Sequence, residues 1–390
     1  MLYLASLGGL FITSERGDNS SKDIKKMPAK TRFAVIIPAR NEAHVIGRLL
    51  ESLKRQSYPT NLVEIAVIPN NCTDATKTIC AQYDIKILSI DIDTSTKGDV
   101  LHWAFSYYVN RADIDAFVVF DADNIVDPHF LAAVNDALLS GFRVCQGMRL
   151  TTNGGFNYVS KGYDAYYAIQ NHFFNKPRMQ MGLSSSINGS GFVIAKQLID
   201  EGWFDVHTFI EDMEFAGICA LHQERIAFVE SAVAYDEQPT RLSDAWIQRR
   251  RWSTGLNQCR RKYGPNLLAT YLRNGWVPAL DILLLYSSPV INVISCTVCI
   301  VSLIMQAILL PDLCIPFVLG CTLAITALIA SITLCKVAVS PKGRHTPLAT
   351  GAIHFPIFLL SWMAIDLVSM FHDVKEWKVT KHSGNTQNFS

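Results

Sequence analysis

The chain has 390 residues, with 35 basic and 34 acidic side chains and a net charge of +1. That length suggests one large or two ordinary domains. The charge balance gives no reason to expect a nucleic-acid partner, and the composition excludes intrinsic disorder, collagen and coiled coil. Only 18% of residues are charged and the mean hydropathy is +0.19, more apolar than an ordinary soluble domain. The 10 Cys are scattered, half of them in apolar runs, which argues against a secreted disulfide scaffold.

Residues 1–13 are apolar but too short to span a bilayer alone. Lys22, Lys25, Lys26, Lys30 and Arg32 follow that run instead of preceding it, so a signal peptide is not expected. Next comes FAVIIP at 33–38, a short β-rich run ending in Pro. Residues 43–56 have helical spacing, with Val45, Ile46, Leu49, Leu50 and Leu53 on one face. VEIAVI at 63–68 reads as a second strand, 73–82 as a helix, 85–90 as a third strand, 100–109 as a helix, and AFVVF at 116–120 as a fourth strand. Strands alternating with helices at this spacing imply βαβ units and an α/β domain with a mostly parallel sheet.

In such sheets the ligand sits at the carboxyl ends of the strands, so the residues just past those ends are the informative ones. Strand one is followed by Ala39-Arg40-Asn41-Glu42, strand two by Asn70-Asn71-Cys72-Thr73-Asp74, and strand four by Asp121-Ala122-Asp123. These clusters should converge on one cleft. Two carboxylates at i and i+2 can hold a hard divalent cation such as Mg²⁺ or Mn²⁺, whose shell is completed by water and substrate phosphates. Alone, the same pair is equally a helix cap or a solvated turn.

Beyond the polar region, residues 277–335 carry only Asp281 and Asp312 as charges. Two stretches, 290–310 and 313–335, are long enough to cross a bilayer, with a turn at Pro311-Asp312 between them. A third, 349–371, is long enough but contains His354, Pro356, Trp362 and Asp366. The loop 336–344 is basic, like the segment after residue 13. The positive-inside rule then places both, and the polar region 31–276, in the cytoplasm.

Further motifs occur in order with these: KG at 97–98, NGSG at 188–191, ED at 211–212 and QRRRW at 248–252. With PARNE at 38–42 and DAD at 121–123, the set resembles the membrane-bound family 2 glycosyltransferases, whose catalytic domain has the Rossmann-like GT-A fold. The nearest kin it suggests are the synthases of cellulose, chitin, hyaluronan and poly-N-acetylglucosamine. The likeness covers about residues 31–260. It implies four regions: an N-terminal apolar segment and basic linker at 1–30, a GT-A domain at 31–260, interface and transmembrane helices at 261–371, and a tail at 372–390.

The resemblance also implies roles. Asp123 corresponds to the aspartate that binds the metal of a nucleotide-sugar diphosphate, and Asp121 would contact ribose or sugar. Ala39, Arg40 and Glu42 would line the nucleotide pocket, with Lys97 near the base or diphosphate. Asp212 would be the general base of an inverting transfer, helped by Glu211. Arg251 would grip the diphosphate leaving group, while Ser190, Gln248 and Trp252 border the acceptor. Arg249 and Arg250 are expected to face lipid. The tail WKVTKH at 377–382 is similar to the gating loop of processive synthases, with Trp377, Thr380 and Lys381 at the matching places. If that tail meets QRRRW at one site, the chain crosses the membrane an even number of times between them, and 349–371 lies along the cytoplasmic interface.

The family often has an acidic pair where this chain has Pro69-Asn70-Asn71, so either Asn70 or Asp74 would receive the base. UDP is the expected nucleotide. The reading is a membrane-embedded enzyme that joins UDP-sugars into a β-linked polysaccharide, with transfer of one sugar to a lipid as the alternative. The default location is a bacterial plasma membrane. A polymer channel from so small a membrane region would need a missing N-terminal helix, a partner subunit or a homo-oligomer.

Overall fold

The computed structural model describes residues 24–309 apart from 91–93 and 95, residues 318, 320 and 321, and residues 348–372. The first strand, β1 (Phe33–Ala39), is apolar throughout because both of its faces are covered. Phe33, Val35 and Ile37 enter one core while Ala34 and Ile36 enter the other. Helix α1 (Ile46–Lys54) lays Ile46, Leu49, Leu50 and Leu53 on the first of these cores. It starts later than its apolar spacing suggests, because the amides of Val45 and Ile46 both donate to Glu42 O and wind 42–45 into a turn.

Strand β2 (Val63–Pro69) pairs parallel to β1 along its whole length. Helix α2 is only Thr76–Cys80, and β3 only Lys86–Ile87. Helix α3 (Lys97–Tyr108) begins before residue 100, the expected start, because Thr96 and Asp99 form a reciprocal cap on its first turn. Strand β4 (Ala116–Val119) lies parallel to β1 on its other side.

The rest of the sheet was not readable as strands. It comprises β5 (Ile125–Val126), β6 (Val144–Thr151), β7 (Phe192–Ala195) and β8 (Ile226–Asp236), and the order is β3-β2-β1-β4-β7-β6-β8-β5. The half from β3 to β4 is parallel, as expected. Strand β7 then runs antiparallel to both β4 and β6, β8 runs parallel to β6, and β5 antiparallel to β8. The sheet is therefore mixed but still mostly parallel, as expected: only β7 and β5 run against the direction shared by the other six strands. Helix α4 (Phe130–Leu139) covers the first core. Between β6 and β7 come α5 (Tyr158–Ile169), a wide π-helical turn (Gln170–Asn175) and the short α6 (Lys176–Gln180). Helices α7 (Lys196–Asp200) and α8 (Glu211–Leu221) follow β7.

Helix α9 (Leu242–Asn274), 33 residues long, runs past α8 and stops at Gly275, whose φ of 64° closes the last turn. It approaches α8 closely: a Cβ on Gly255 would lie 2.6 Å from Ile210 Cγ1. Glu214 of α8, fully buried, ties the two together. It accepts hydrogen bonds from the amides of His207 and Thr208 at 2.7 and 2.6 Å, from Lys262 Nζ at 2.9 Å and from the Tyr263 hydroxyl at 2.7 Å. Burial alone would raise this carboxyl, but the donors from Tyr263, Lys262 and the two amides hold it below the usual glutamate range.

Helices α10 (Val277–Tyr286) and α11 (Ser288–Leu309) continue the chain, and α12 (Leu348–Phe371) returns to pack on α5, α9 and α11. The segment 349–371, expected to be interfacial or transmembrane, packs on helices of the α/β domain as well as on α11. One expectation changes here. Arg249, expected to face lipid, is fully buried. Its Nη1 donates to Phe358 O at 3.1 Å and to Ser361 Oγ at 2.9 Å, and its guanidinium lies 4.4 Å from the Phe358 ring. Asp366, also buried, accepts from Ser253 Oγ at 2.6 Å and Asn292 Nδ2 at 2.9 Å.

Among the described residues, α11 is the one helix long and apolar enough to cross a membrane, and its apolar stretch has no share buried. It falls on the expected span 290–310. The apolar segment 1–13, the tail at 377–382 and, apart from residues 318, 320 and 321, the other expected span, 313–335, lie outside the described residues.

Glu214→Gln removes an anionic acceptor from a closed network. It should lower stability by about 2 kcal/mol at neutral pH in urea unfolding. Because the folded-state pKa is depressed, that difference should be present above the ordinary glutamate range and shrink as pH falls below it.

Candidate active site

The carboxyl ends of β1, β2 and β4 open into a cavity of about 250 Å³. Ala39, Arg40, Glu42 and Asn70 line one side, and Asp121, Asp123 and Lys97 the floor. Glu211 and Asp212 enter from the start of α8, and Gln248, Arg251 and Trp252 from α9. The motifs read from the sequence thus meet at one place.

Lys97 sits at the centre. Its Nζ lies 2.7 Å from Asp121 Oδ1 and 3.2 Å from Glu211 Oε1, and it donates to Gly189 O. Burial alone would lower the ammonium, but the Asp121 and Glu211 carboxylates hold it above the usual lysine range. Burial would likewise raise Asp121, which Lys97 holds below the usual aspartate range. Asp212 goes the other way. Burial, then the charge of Glu211, push its carboxyl up to about 7, against the pull of Lys97.

Two expected residues stand apart from the cavity. Asp74 is exposed, and its carboxylate accepts from Thr76 N and Ala43 N, both at 3.0 Å, which caps α2 and fixes the turn after β1. Ser190 is buried behind the Asp121 turn: its Oγ accepts from Asp121 N at 3.0 Å and donates to Asn124 Oδ1. Gly189 and Gly191 flank it at φ 78° and 64°, a backbone that turns the hydroxyl inward. Of the two candidates for the base, the nearly buried Asn70 lines the cavity. Its Nδ2 donates to Thr94 Oγ1 at 2.6 Å, while its buried Oδ1 has no hydrogen-bond partner among the described residues.

Asp123 lines the cavity with its side chain nearly buried. Asp121 is engaged by Lys97, and no three His, Cys, Asp or Glu side chains come together to hold an ion among the described residues. A cation here would rest on Asp123 and take its remaining oxygens from donor phosphates and water, a donor set that fits Mg²⁺ or Mn²⁺.

Several lining residues carried no motif. Arg149 of β6 pairs with Asp236 at the end of β8, Nε to Oδ2 at 2.8 Å, and its guanidinium lies 4.6 Å from the Tyr167 ring. Had IAFVESAVAYD been read as a strand, Asp236 would have stood at its carboxyl end. Tyr166, Tyr167, Gln170 and Trp362 also line the cavity, as does Asn188 of the NGSG motif.

A family profile described as "Glycosyltransferase like family 2" matches residues 28–255, and the chain belongs to that family. The beta-monoglucosyldiacylglycerol synthase of Synechocystis is 25% identical over 228 residues, 57% of this chain and 47% of that enzyme, so the chain spans about half of its length. The beta-monoglucosyldiacylglycerol synthase of Trichormus variabilis is 24% identical over 98% of this chain and 86% of its own. Glucomannan 4-beta-mannosyltransferase 7 of Arabidopsis thaliana is 24% identical over 60% of this chain and 44% of its own. Among solved structures, the mannosyltransferase PcManGT from Pyrobaculum calidifontis, in complex with GDP-Man and Mn²⁺, aligns with a TM-score of 0.56, covering 95% of both chains at 18% identity, a likeness of fold. These relatives are lipid glucosyltransferases and mannosyltransferases, where the motifs had suggested cellulose and chitin synthases.

Lys97→Met would leave the buried Glu211 and the partly exposed Asp121 without their shared counter-charge. A loss of about 2 kcal/mol of stability is expected in denaturant unfolding. Adding Asp121→Asn should recover part of it, which a double-mutant cycle would measure.

Proposed function

We propose that the chain transfers a hexose, with inversion, from a UDP-sugar to a hydroxyl of a lipid-borne acceptor at a membrane surface. One observation carries the choice of acceptor. Leu285 lines the cavity, and only Tyr286 and Ser287 separate it from α11, whose Ile294, Val298, Val301 and Met305 are exposed. The wall of the site therefore continues into an apolar helix fit for a bilayer. The named activity of the relatives from Synechocystis and Trichormus supports the same reading. Polymer synthesis rests on the gating tail, with Trp377, Thr380 and Lys381, outside the described residues.

The geometry suggests how the residues would work. Asn70 Oδ1 accepts an N–H of the nucleotide base. Asp123 would hold Mg²⁺ or Mn²⁺, which when bound supplies positive charge to the diphosphate. Arg251 adds a planar, two-pronged grip on the same group as negative charge develops. Lys97 keeps Asp121 ionised and holds Asp121 and Glu211 in place. The acceptor oxygen attacks the anomeric carbon, the bond from that carbon to the diphosphate oxygen breaks, and the acceptor proton passes to Asp212. A base with a pKa near 7 is well matched to a cellular pH.

The full chain in nanodiscs should release UDP from at least one UDP-sugar in the presence of Mg²⁺ or Mn²⁺ and form a single glycolipid; a ladder of longer glycans would establish the polymer reading instead. Asp212→Asn should lower kcat by about 10²–10⁴-fold while UDP binding, by calorimetry, persists. Since the base acts when deprotonated, kcat/KM should fall about tenfold per unit as pH drops below about 7. A flat profile from pH 5 to 8 would refute the assignment of Asp212.

A further inference from the structure

One end of the cavity is an aromatic wall, one member of which lies outside the segment shared with the family. Trp362 comes from α12, far beyond residue 255, where the family match ends. Its ring lies 5.1 Å from that of Tyr166 and 6.0 Å from that of Trp252, tilted 43° and 37° to them. All three line the cavity beside Gln248 and Asp212. Arg249 holds the wall together from behind. It bonds to α12 at Phe358 O and Ser361 Oγ and stacks 5.6 Å from the Trp362 ring.

Residues with unsatisfied amides line the same cavity. Asn188 is more than nine-tenths buried; its Oδ1 accepts from Gln170 Nε2 at 2.8 Å, but its Nδ2 has no hydrogen-bond partner among the described residues. Gln170 Oε1 and Gln248 Oε1 are likewise buried and unpartnered there. An acyl chain against these groups would leave donor and acceptors dry, at the full cost of their desolvation. A pyranose suits both surfaces. Its C–H face packs on flat aromatic rings, and its hydroxyls donate to amide oxygens and accept from an amide N–H.

We propose that Trp362 is a specificity-determining residue that receives a sugar ring of the acceptor, so that the hydroxyl glycosylated belongs to a glycolipid headgroup and not to a bare lipid alcohol. This rests on the reaction proposed above. The step is the same, with a sugar hydroxyl as nucleophile: its oxygen bonds to the donor's anomeric carbon, the diphosphate leaves with the electrons of the broken bond, and the proton goes to Asp212.

The test compares two acceptors, octyl β-glucoside below its micellar concentration and dioleoylglycerol, with the full chain in nanodiscs and its best UDP-sugar. The glucoside should have the higher kcat/KM by about tenfold. Trp362→Ala should raise the KM for the glucoside by about tenfold with the donor KM little changed, and Trp362→Phe should raise it less. Dioleoylglycerol matching or exceeding the glucoside would overturn the proposal, as would a glucoside KM unmoved in both variants. Absence of transfer to either acceptor with any UDP-sugar would instead sink the proposed reaction. Binding then decides the wall separately: octyl β-glucoside should quench the tryptophan fluorescence of the wild-type chain saturably, and Trp362→Phe should reduce the amplitude of that response, Trp252 remaining in the wall. No saturable quenching would dispose of the sugar subsite.

Discussion

The site depends on one buried ammonium. Two acidic motifs, one after β4 and one at the start of α8, are brought into a single cavity, and like charges so placed repel strongly in a medium of low polarity. Lys97, standing between Asp121 and Glu211, makes the arrangement tenable. Its sign also divides labour among the carboxylates. It holds Asp121 below the usual aspartate range, while Asp212, next to Glu211 and farther from the cation, is left free to take and release a proton in the neutral range. The reciprocal cap at Thr96 and Asp99 starts α3 at Lys97 itself, so the cation is set by a local turn as well as by its partners.

A second constraint is the long helix α9. It presents Gln248, Arg251 and Trp252 to the cavity, so it must be held against α8 and the sheet. Glu214 holds it on one side and Arg249 on the other. The glycine at 255 lets it come close enough that Ile210 fills the gap. Three adjacent arginines thus have different work: Arg251 faces the cavity, Arg249 lies in the packing against α12, and Arg250 reaches His372 O at 3.2 Å.

Much of the parallel half of the fold was legible because it is buried on both faces. Runs such as FAVIIP and AFVVF are apolar throughout, and each gives way abruptly to polar residues. That contrast located Arg40, Asn70, Asp121 and Asp123. The other half was not legible, since β6 and β8 mix polar residues with apolar ones and pair over long sequence separations. Finer choices were lost for reasons of direction. Asn70 and Asp74 are equally polar, but the turn at Asn71, with φ 50°, and the cap made by Asp74 aim only the first inward. NGSG was recognisable as a turn, yet nothing in it says that Ser190 points away from the acceptor. Arg249 looked like a lipid contact because its partner, α12, lies more than a hundred residues on.

The junction between α10 and α11 has a geometric consequence. A single residue, Ser287, separates the two helices, and Leu285 just before it belongs to the wall of the cavity. On the proposed reading, no slack separates the reacting centre from the segment seated in the bilayer. The height of the cavity above the lipid plane would then be a fixed dimension of the protein. Such an enzyme works as a gauge: headgroups too short never reach Asp212, and those too tall overshoot it.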